Sequence, residues 1–151
     1  MKLLFICLGN ICRSPMAEAI FKQRLKERHL TAETDSAGLE SYHEGDQADS
    51  RMRAHAERRG YHITHSSRPI TLHDFEHFDF IFGMDAQNMR ALKSRAPKGT
   101  EQKLRLITNY CDKFMLADSV PDPYYGGNNG FETVIDLLED ACEGIITREF
   151  E

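Results

Sequence analysis

The stretch Leu3-Leu4-Phe5-Ile6-Cys7-Leu8-Gly9-Asn10-Ile11-Cys12-Arg13-Ser14-Pro15 decides how this chain is read. Its first four residues form a short continuous apolar run, the pattern of a strand buried on both faces of a parallel sheet. The Gly9-Asn10 pair then permits a tight turn, Gly freely and Asn at moderate cost. Ser14-Pro15 opens a helical run, with Ser14 expected as the N-cap and Pro15 at the first helical position. Alone, a cysteine five residues before an arginine is weak evidence. With 4 Cys and 12 Arg in 151 residues, that spacing arises by chance roughly one time in three. The strand–turn–helix context carries the reading. It aims a ring of backbone N–H groups and a helix N-terminus at the Cys7 sulfur, an arrangement suited to a tetrahedral oxyanion. A field of that sign favours the thiolate form of a cysteine. The segment reads as a phosphate-binding loop with its own nucleophile.

Outward from this loop, apolar runs and helical periods alternate. Ala17, Ile20, Phe21 and Leu25 fall on one face of the first helix. Residues 31–36 are a weakly patterned second strand, followed by a polar loop to about residue 47. Residues 48–59 read as a helix ending at Gly60. A third strand is expected over 78–82, and Asp85 is expected to cap a helix that ends before Pro97. A fourth strand falls at 104–107, a loop rich in Asp, Pro, Gly and Asn at 117–130, and a last helix buries Val134, Ile135, Leu138, Ala141, Cys142 and Ile145. Such alternation implies one domain over residues 1–151, with a parallel sheet covered by helices on both faces. Ligands in such folds sit at the carboxyl ends of the strands, which is where Cys7 lies.

Composition narrows the function classes. Hydrophobic content of 40% and charged content of 28% are those of a soluble globular chain. A net charge of −5 argues against a general nucleic-acid binder. The four cysteines, at 7, 12, 111 and 142, form neither CxxC pairs nor zinc spacing, so no metal site is expected and a reducing compartment is the simpler reading. The apolar start is too short for a signal peptide, is broken by Asn10 and Arg13, and no stretch is long enough to span a membrane. A cytoplasmic protein is expected.

A free cysteine is ordinarily an inert core residue, but the context of Cys7 favours a nucleophile. Arg13 would hold two phosphoryl oxygens through its planar fork of donors. Besides capping, Ser14 could donate a hydrogen bond to the sulfur. A phosphate-transferring cysteine also needs an acid for the leaving group. The best candidate is Asp122, in Val120-Pro121-Asp122-Pro123-Tyr124-Tyr125-Gly126. A lone Asp-Pro is commonly just a turn, yet Tyr124 and Tyr125 would set an aromatic wall beside this one.

Cys7 to Glu18 (CLGNICRSPMAE) and Asp122 to Gly126 (DPYYG) resemble the two signatures of the low-molecular-weight protein tyrosine phosphatases. Asp35-Ser36-Ala37, Phe75-x-x-Phe78-Asp79 with Met84-Asp85, and Phe131-Glu132-Thr133-Val134 extend the resemblance along the chain. The resemblance implies a flavodoxin-like four-stranded parallel sheet and hydrolysis without a metal or other cofactor. Cys7 would form a phosphocysteine, and Asp122 would act first as acid and then as base. Leu8, Gly9, Asn10, Ile11, Cys12 and Ser14 would surround the phosphate and ring, with Tyr42, Tyr124 and Tyr125 on the cleft wall. Asn10, Ser36 and His65 would brace the loop, although a satisfied structural histidine is the ordinary alternative for His65.

The family also implies a reversible Cys7–Cys12 disulfide, against which Cys12 as a small packing residue stands equally. Phosphotyrosine proteins would be the substrates, and a tyrosine kinase a functional counterpart. Three other readings stay open: an arsenate reductase, which here lacks the closely spaced further cysteine pair; a protein-arginine phosphatase, which tends to carry Thr at Ile11 and lacks the double tyrosine; and a non-catalytic phosphate-binding module.

Overall fold

Four strands pair in parallel: β1 (Lys2–Cys7), β2 (Glu33–Gly38), β3 (Phe80–Gly83) and β4 (Leu104–Leu106), in the spatial order β2-β1-β3-β4. Five α-helices accompany them among the described residues: α1 (Arg13–Glu27), α2 (Ser50–Arg58), α3 (Leu72–His77), α4 (Ala86–Arg95) and α5 (Gly127–Glu149). The computed structural model describes residues 1–123 and 127–150. This is the flavodoxin-like order. From β1 the chain steps to β2 on one side and then crosses to β3 on the other, so a crevice opens at the carboxyl end of β1.

The apolar run in β1 behaves as its pattern requires. Leu3, Leu4, Phe5 and Ile6 are all fully buried. Successive residues of a strand point to opposite faces, and the core divides accordingly. Leu3 and Phe5 pack with Phe21, Phe82, Phe131 and Leu138 beneath α1 and α5. Leu4 and Ile6 pack with Phe75, Phe78 and Leu92 beneath α3 and α4. Phe5 lies between Phe82 and Phe21, at centroid distances of 5.4 and 5.7 Å. Full burial of such a side chain contributes about 1.5–3 kcal/mol, so the sheet that carries the loop is anchored on both sides.

Helix α5 approaches the 3-10 turn at Ile107–Tyr110 so closely that a methyl on Gly144 would overlap the Tyr110 carbonyl. Four residues earlier, Asp140 accepts the backbone N–H groups of Asp112, Lys113 and Phe114. Burial alone would raise the Asp140 carboxyl, but these bonds outweigh it and hold it below its ordinary value. Thus α5 fixes the start of the segment that leads to Asp122.

The structure corrects several boundaries. Ser14 is not the N-cap of α1. That helix begins at Arg13 with Cys12 at the cap, and no side chain caps it. Strand β2 runs later than expected, to Gly38, and α5 starts at Gly127, inside the expected loop of 117–130. Helix α3 was not expected at all. Its signature is a capping box in which the Thr71 hydroxyl accepts from Asp74 N–H and the Asp74 carboxylate accepts from Thr71 N–H. Asp85 caps α4 as expected, accepting from Asn88 N–H.

Candidate active site

The loop between β1 and α1 is held open by its surroundings. The carbonyl of Gly9 accepts from the Ser67 hydroxyl, that of Ile11 from Asp49 N–H and that of Cys12 from Met16 N–H. In a trans peptide the N–H points opposite to the C=O. The following amides, of Asn10, Cys12 and Arg13, therefore turn away from these partners. Asn10 has φ 58°, in the left-handed region that Asn tolerates better than most residues. The end of β2 closes on the loop here: a Cβ at Gly38 would lie 3.1 Å from the Asn10 Cβ and from the Gly9 carbonyl carbon.

Asn10 is buried and organises the site. Its Oδ1 accepts from Arg68 N–H at 3.0 Å, which fixes the orientation of the amide. His65 Nε2, 2.8 Å from the same oxygen, must then be a donor. The Asn10 amide nitrogen donates to the hydroxyls of Ser14 (2.8 Å) and Ser36 (3.0 Å). The Ser36 hydroxyl in turn donates to Glu18 Oε1 at 2.7 Å. Ser14 Oγ lies 3.0 Å from Cys7 Sγ. Because Ser14 already accepts from Asn10, its hydroxyl proton is available to the sulfur. This contact is why Ser14 caps nothing: its side chain is directed into the loop.

Behind this row, His65 Nδ1 lies 3.4 Å from Glu18 and 3.3 Å from Asp35. The donor atoms of these three residues all lie within 4.8 Å of one another. Each carboxylate is already engaged, however: Glu18 by Ser36 and Lys22, Asp35 by Arg68 and its neighbouring N–H. The cluster is the outer support of the loop.

Arg13 is buried and held from the far side of the crevice. Its Nη1 donates to Asp85 Oδ2 at 2.8 Å and to the Val120 carbonyl at 3.0 Å. Both hydrogens of that nitrogen are thereby used, and the Nε/Nη2 edge is the one left to grip two oxygens of a tetrahedral anion. Burial alone would lower the guanidinium, but Cys7 and then Asp85 outweigh it and leave it above its ordinary value. Val120 also donates its N–H to Met84 O at 2.8 Å, which ties the approach to Asp122 against the end of β3.

A cavity of about 280 Å³ opens over the loop. Cys7, Gly9, Cys12 and Arg13 line it from below, with Ile11 and the half-exposed Leu8 beside them. Asp122 lines it from the opposite segment, and Tyr42, 84% exposed, stands at its edge. Two further wall residues, Glu40 and His43, have no role in the sequence reading. Tyr124 and Tyr125 lie outside the described residues. Ser36 and His65 do not line the cavity; both bond to Asn10 behind the loop.

All four cysteines are free and buried. Burial, followed by Asp49 and Cys7, pushes the Cys12 thiol up. Burial followed by Asp140 raises Cys111 to about 12, and burial raises Cys142. Each of these three is held as a thiol.

Asp85, Val120, Glu18 and Arg68 are the functional neighbours that sequence reasoning missed. One general signal pointed to Asp85: it stands two residues past the end of β3, and ligands in such folds bind outside the carboxyl ends of the strands.

Fold and loop together define a flavodoxin-like α/β protein with an oxyanion cradle built around a thiol and an arginine. A profile of the low molecular weight phosphotyrosine protein phosphatase family matches residues 2–149. A Streptomyces coelicolor relative named low molecular weight protein-tyrosine-phosphatase is 40% identical over 149 residues, covering 96% of this chain and 91% of its own. The crystal structure of a protein tyrosine phosphatase from Entamoeba histolytica, with Hepes in its active site, superposes with a TM-score of 0.95 at 51% identity, over 98% of this chain and 96% of that one. A Drosophila arginine phosphatase superposes with a TM-score of 0.94 at 33% identity, over 100% and 99%. This chain belongs to the low molecular weight phosphotyrosine protein phosphatase family.

Proposed function

We propose that this chain hydrolyses phosphotyrosine in proteins through a phosphocysteine on Cys7. The supporting observation is that Cys7, Arg13 and Asp122, brought from two distant segments, line one cavity. The phosphoryl group sits on the loop amides with two oxygens on the Arg13 fork. Cys7 Sγ attacks phosphorus in line with the phenolic oxygen. Ser14 steadies the sulfur, and Arg13 balances the charge that spreads over the equatorial oxygens in the transition state. Asp122 protonates the departing phenolate. The resulting carboxylate then takes a proton from water, which attacks the phosphocysteine and releases phosphate and the Cys7 sulfur. Arg13 and the loop amides supply the positive field, so no step calls for a metal.

Leu8 and Tyr42 would flank the tyrosine ring, a slot that suits an aryl ester. Glu18, Ser36 and His65 act through Asn10 to position the loop. Cys12 is the neighbour with which Cys7 would form a reversible disulfide. Four free cysteines suit a reducing cytoplasm, and no helix among the described residues is long and apolar enough to cross a membrane. Phosphoproteins are the substrates, with a tyrosine kinase as the opposing activity.

Turnover of p-nitrophenyl phosphate with EDTA present, followed by phosphotyrosine, phosphoserine and phosphoarginine peptides, tests the assignment. Phosphotyrosine is expected to be preferred, and a preference for phosphoarginine would reassign the substrate. Asp122→Ala is expected to lower kcat on the order of 10²-fold or more for phenyl phosphate. It should act much less on p-nitrophenyl phosphate, whose leaving group needs little protonation. Equal losses on both would remove Asp122 from the role of acid.

A further inference from the structure

The wall of the cavity carries a charge that the reaction does not use. Glu40 stands two residues beyond the end of β2, and the Leu39–Glu40 peptide is pinned at both its N–H and its C=O. Its N–H donates to Leu8 O at 3.0 Å, and Arg95 donates to the preceding carbonyl of Leu39 at 2.7 Å. The carboxylate therefore springs from a fixed point beside Leu8, in the wall of the cavity.

Around it the rim is acidic. The segment 40–49 contains Glu40, Glu44, Asp46 and Asp49 and no Lys or Arg. Asp46 faces His43 Nδ1 at 3.2 Å, and Asp49 caps α2 and pairs with Arg51. The side chains of Glu40 and Glu44 make no ion pair among the described residues. Arg13 pairs with Asp85 and Arg51 with Asp49, while Arg95 donates to the Leu39 carbonyl. Asp122 adds a further carboxyl to the opposite wall.

A phosphate dianion with acidic neighbours must cross this rim against repulsion, whereas a cationic neighbour is drawn to it. We infer that Glu40 is a specificity-determining residue that selects phosphotyrosine peptides carrying an arginine or lysine next to the phosphorylated residue. The inference rests on the phosphotyrosine phosphatase reading above.

The test measures kcat/KM on three peptides identical except for Arg, Gln or Glu beside the phosphotyrosine, with p-nitrophenyl phosphate measured alongside to normalise for active sites. An exposed pair of this kind is worth about a two- to fivefold preference for Arg over Gln, with Glu poorest. The preference is expected to shrink as salt rises from about 20 mM to about 0.5 M. Glu40→Gln is expected to erase most of the Arg-over-Gln ratio, and Glu40→Lys to invert the order of the three peptides. A purely structural effect of either substitution would scale all three alike. Equal kcat/KM on the three peptides, or a preference unchanged in Glu40→Lys, overturns the inference while leaving the phosphatase reading intact. Absence of turnover on every peptide and on p-nitrophenyl phosphate overturns both.

Discussion

Replacing Cys7 by serine is expected to abolish turnover, with kcat falling on the order of 10⁴-fold or more, the scale on which loss of an enzyme's nucleophile is felt. The hydroxyl is a far weaker nucleophile at neutral pH, and Ser14 does not help it. Ser14 lies 3.0 Å from the sulfur and already accepts from Asn10, and a neutral hydroxyl is too weak a base to activate an alcohol. The fold should survive, because Cys7 ends a strand whose neighbours Leu3 to Ile6 supply the packing. Binding should survive as well, since the loop amides and Arg13 are untouched. The variant is therefore expected to bind vanadate or phosphate, detected by calorimetry, while hydrolysing nothing. Retention of more than a few per cent of wild-type turnover would remove Cys7 from the nucleophile's role.

Arg13→Ala has the second largest expected effect. Arginines that balance charge in phosphoryl transfer are worth on the order of 10³- to 10⁵-fold in kcat. This one is directed by Asp85 and by the Val120 carbonyl, so its free edge needs no reorganisation when phosphate arrives. Arg13→Lys keeps the charge but loses the fork, and should recover only part of the loss. Single-turnover kinetics with an aryl phosphate checks both variants. A fall confined to KM would mean that Arg13 binds the ground state and does not act on the transition state. Because alanine leaves the Asp85 carboxylate without its partner, circular dichroism of both variants should accompany the kinetics.

Much of this was legible in the chain, and the reasons differ from residue to residue. The β1–loop–α1 unit announced itself because an unbroken apolar run, Gly9-Asn10 and a helical period follow one another within a few residues, all local signals. Asp122 was legible as a candidate from its Asp-Pro-Tyr-Tyr setting, and it lines the cavity. The partners of Arg13 were not, since Asp85 is 72 residues away and Val120 is 107 residues away. Only the crossing from β2 to β3 brings those segments to the same crevice. Ser14 misled as a cap because cap preference assumes a free hydroxyl, and here Asn10 and Cys7 engage it. Helix α3 escaped notice because six residues carry too little period, although the Thr71–Asp74 spacing was visible. The start of α5 escaped for the opposite reason: Gly127-Asn128-Asn129-Gly130 has a turn's composition in a helix's first turn.

Glu40 illustrates the remaining gap. Nothing in its neighbours marks it, and it gains meaning from the Leu8 carbonyl and Arg95 that fix its backbone at the cavity's edge. The core chemistry is a property of the loop and follows from local sequence. Peptide choice belongs to the rim and depends on tertiary structure.

The central claim is that phosphate passes through Cys7. The most direct measurement is rapid acid quench of the enzyme during turnover of an aryl phosphate with EDTA present, followed by peptide mapping by mass spectrometry. The expected result is one phosphate on the peptide containing Cys7, formed within a single turnover and lost at the rate of phosphate release. Steady turnover with no phosphate on Cys7, or with phosphate on another residue, would contradict the account.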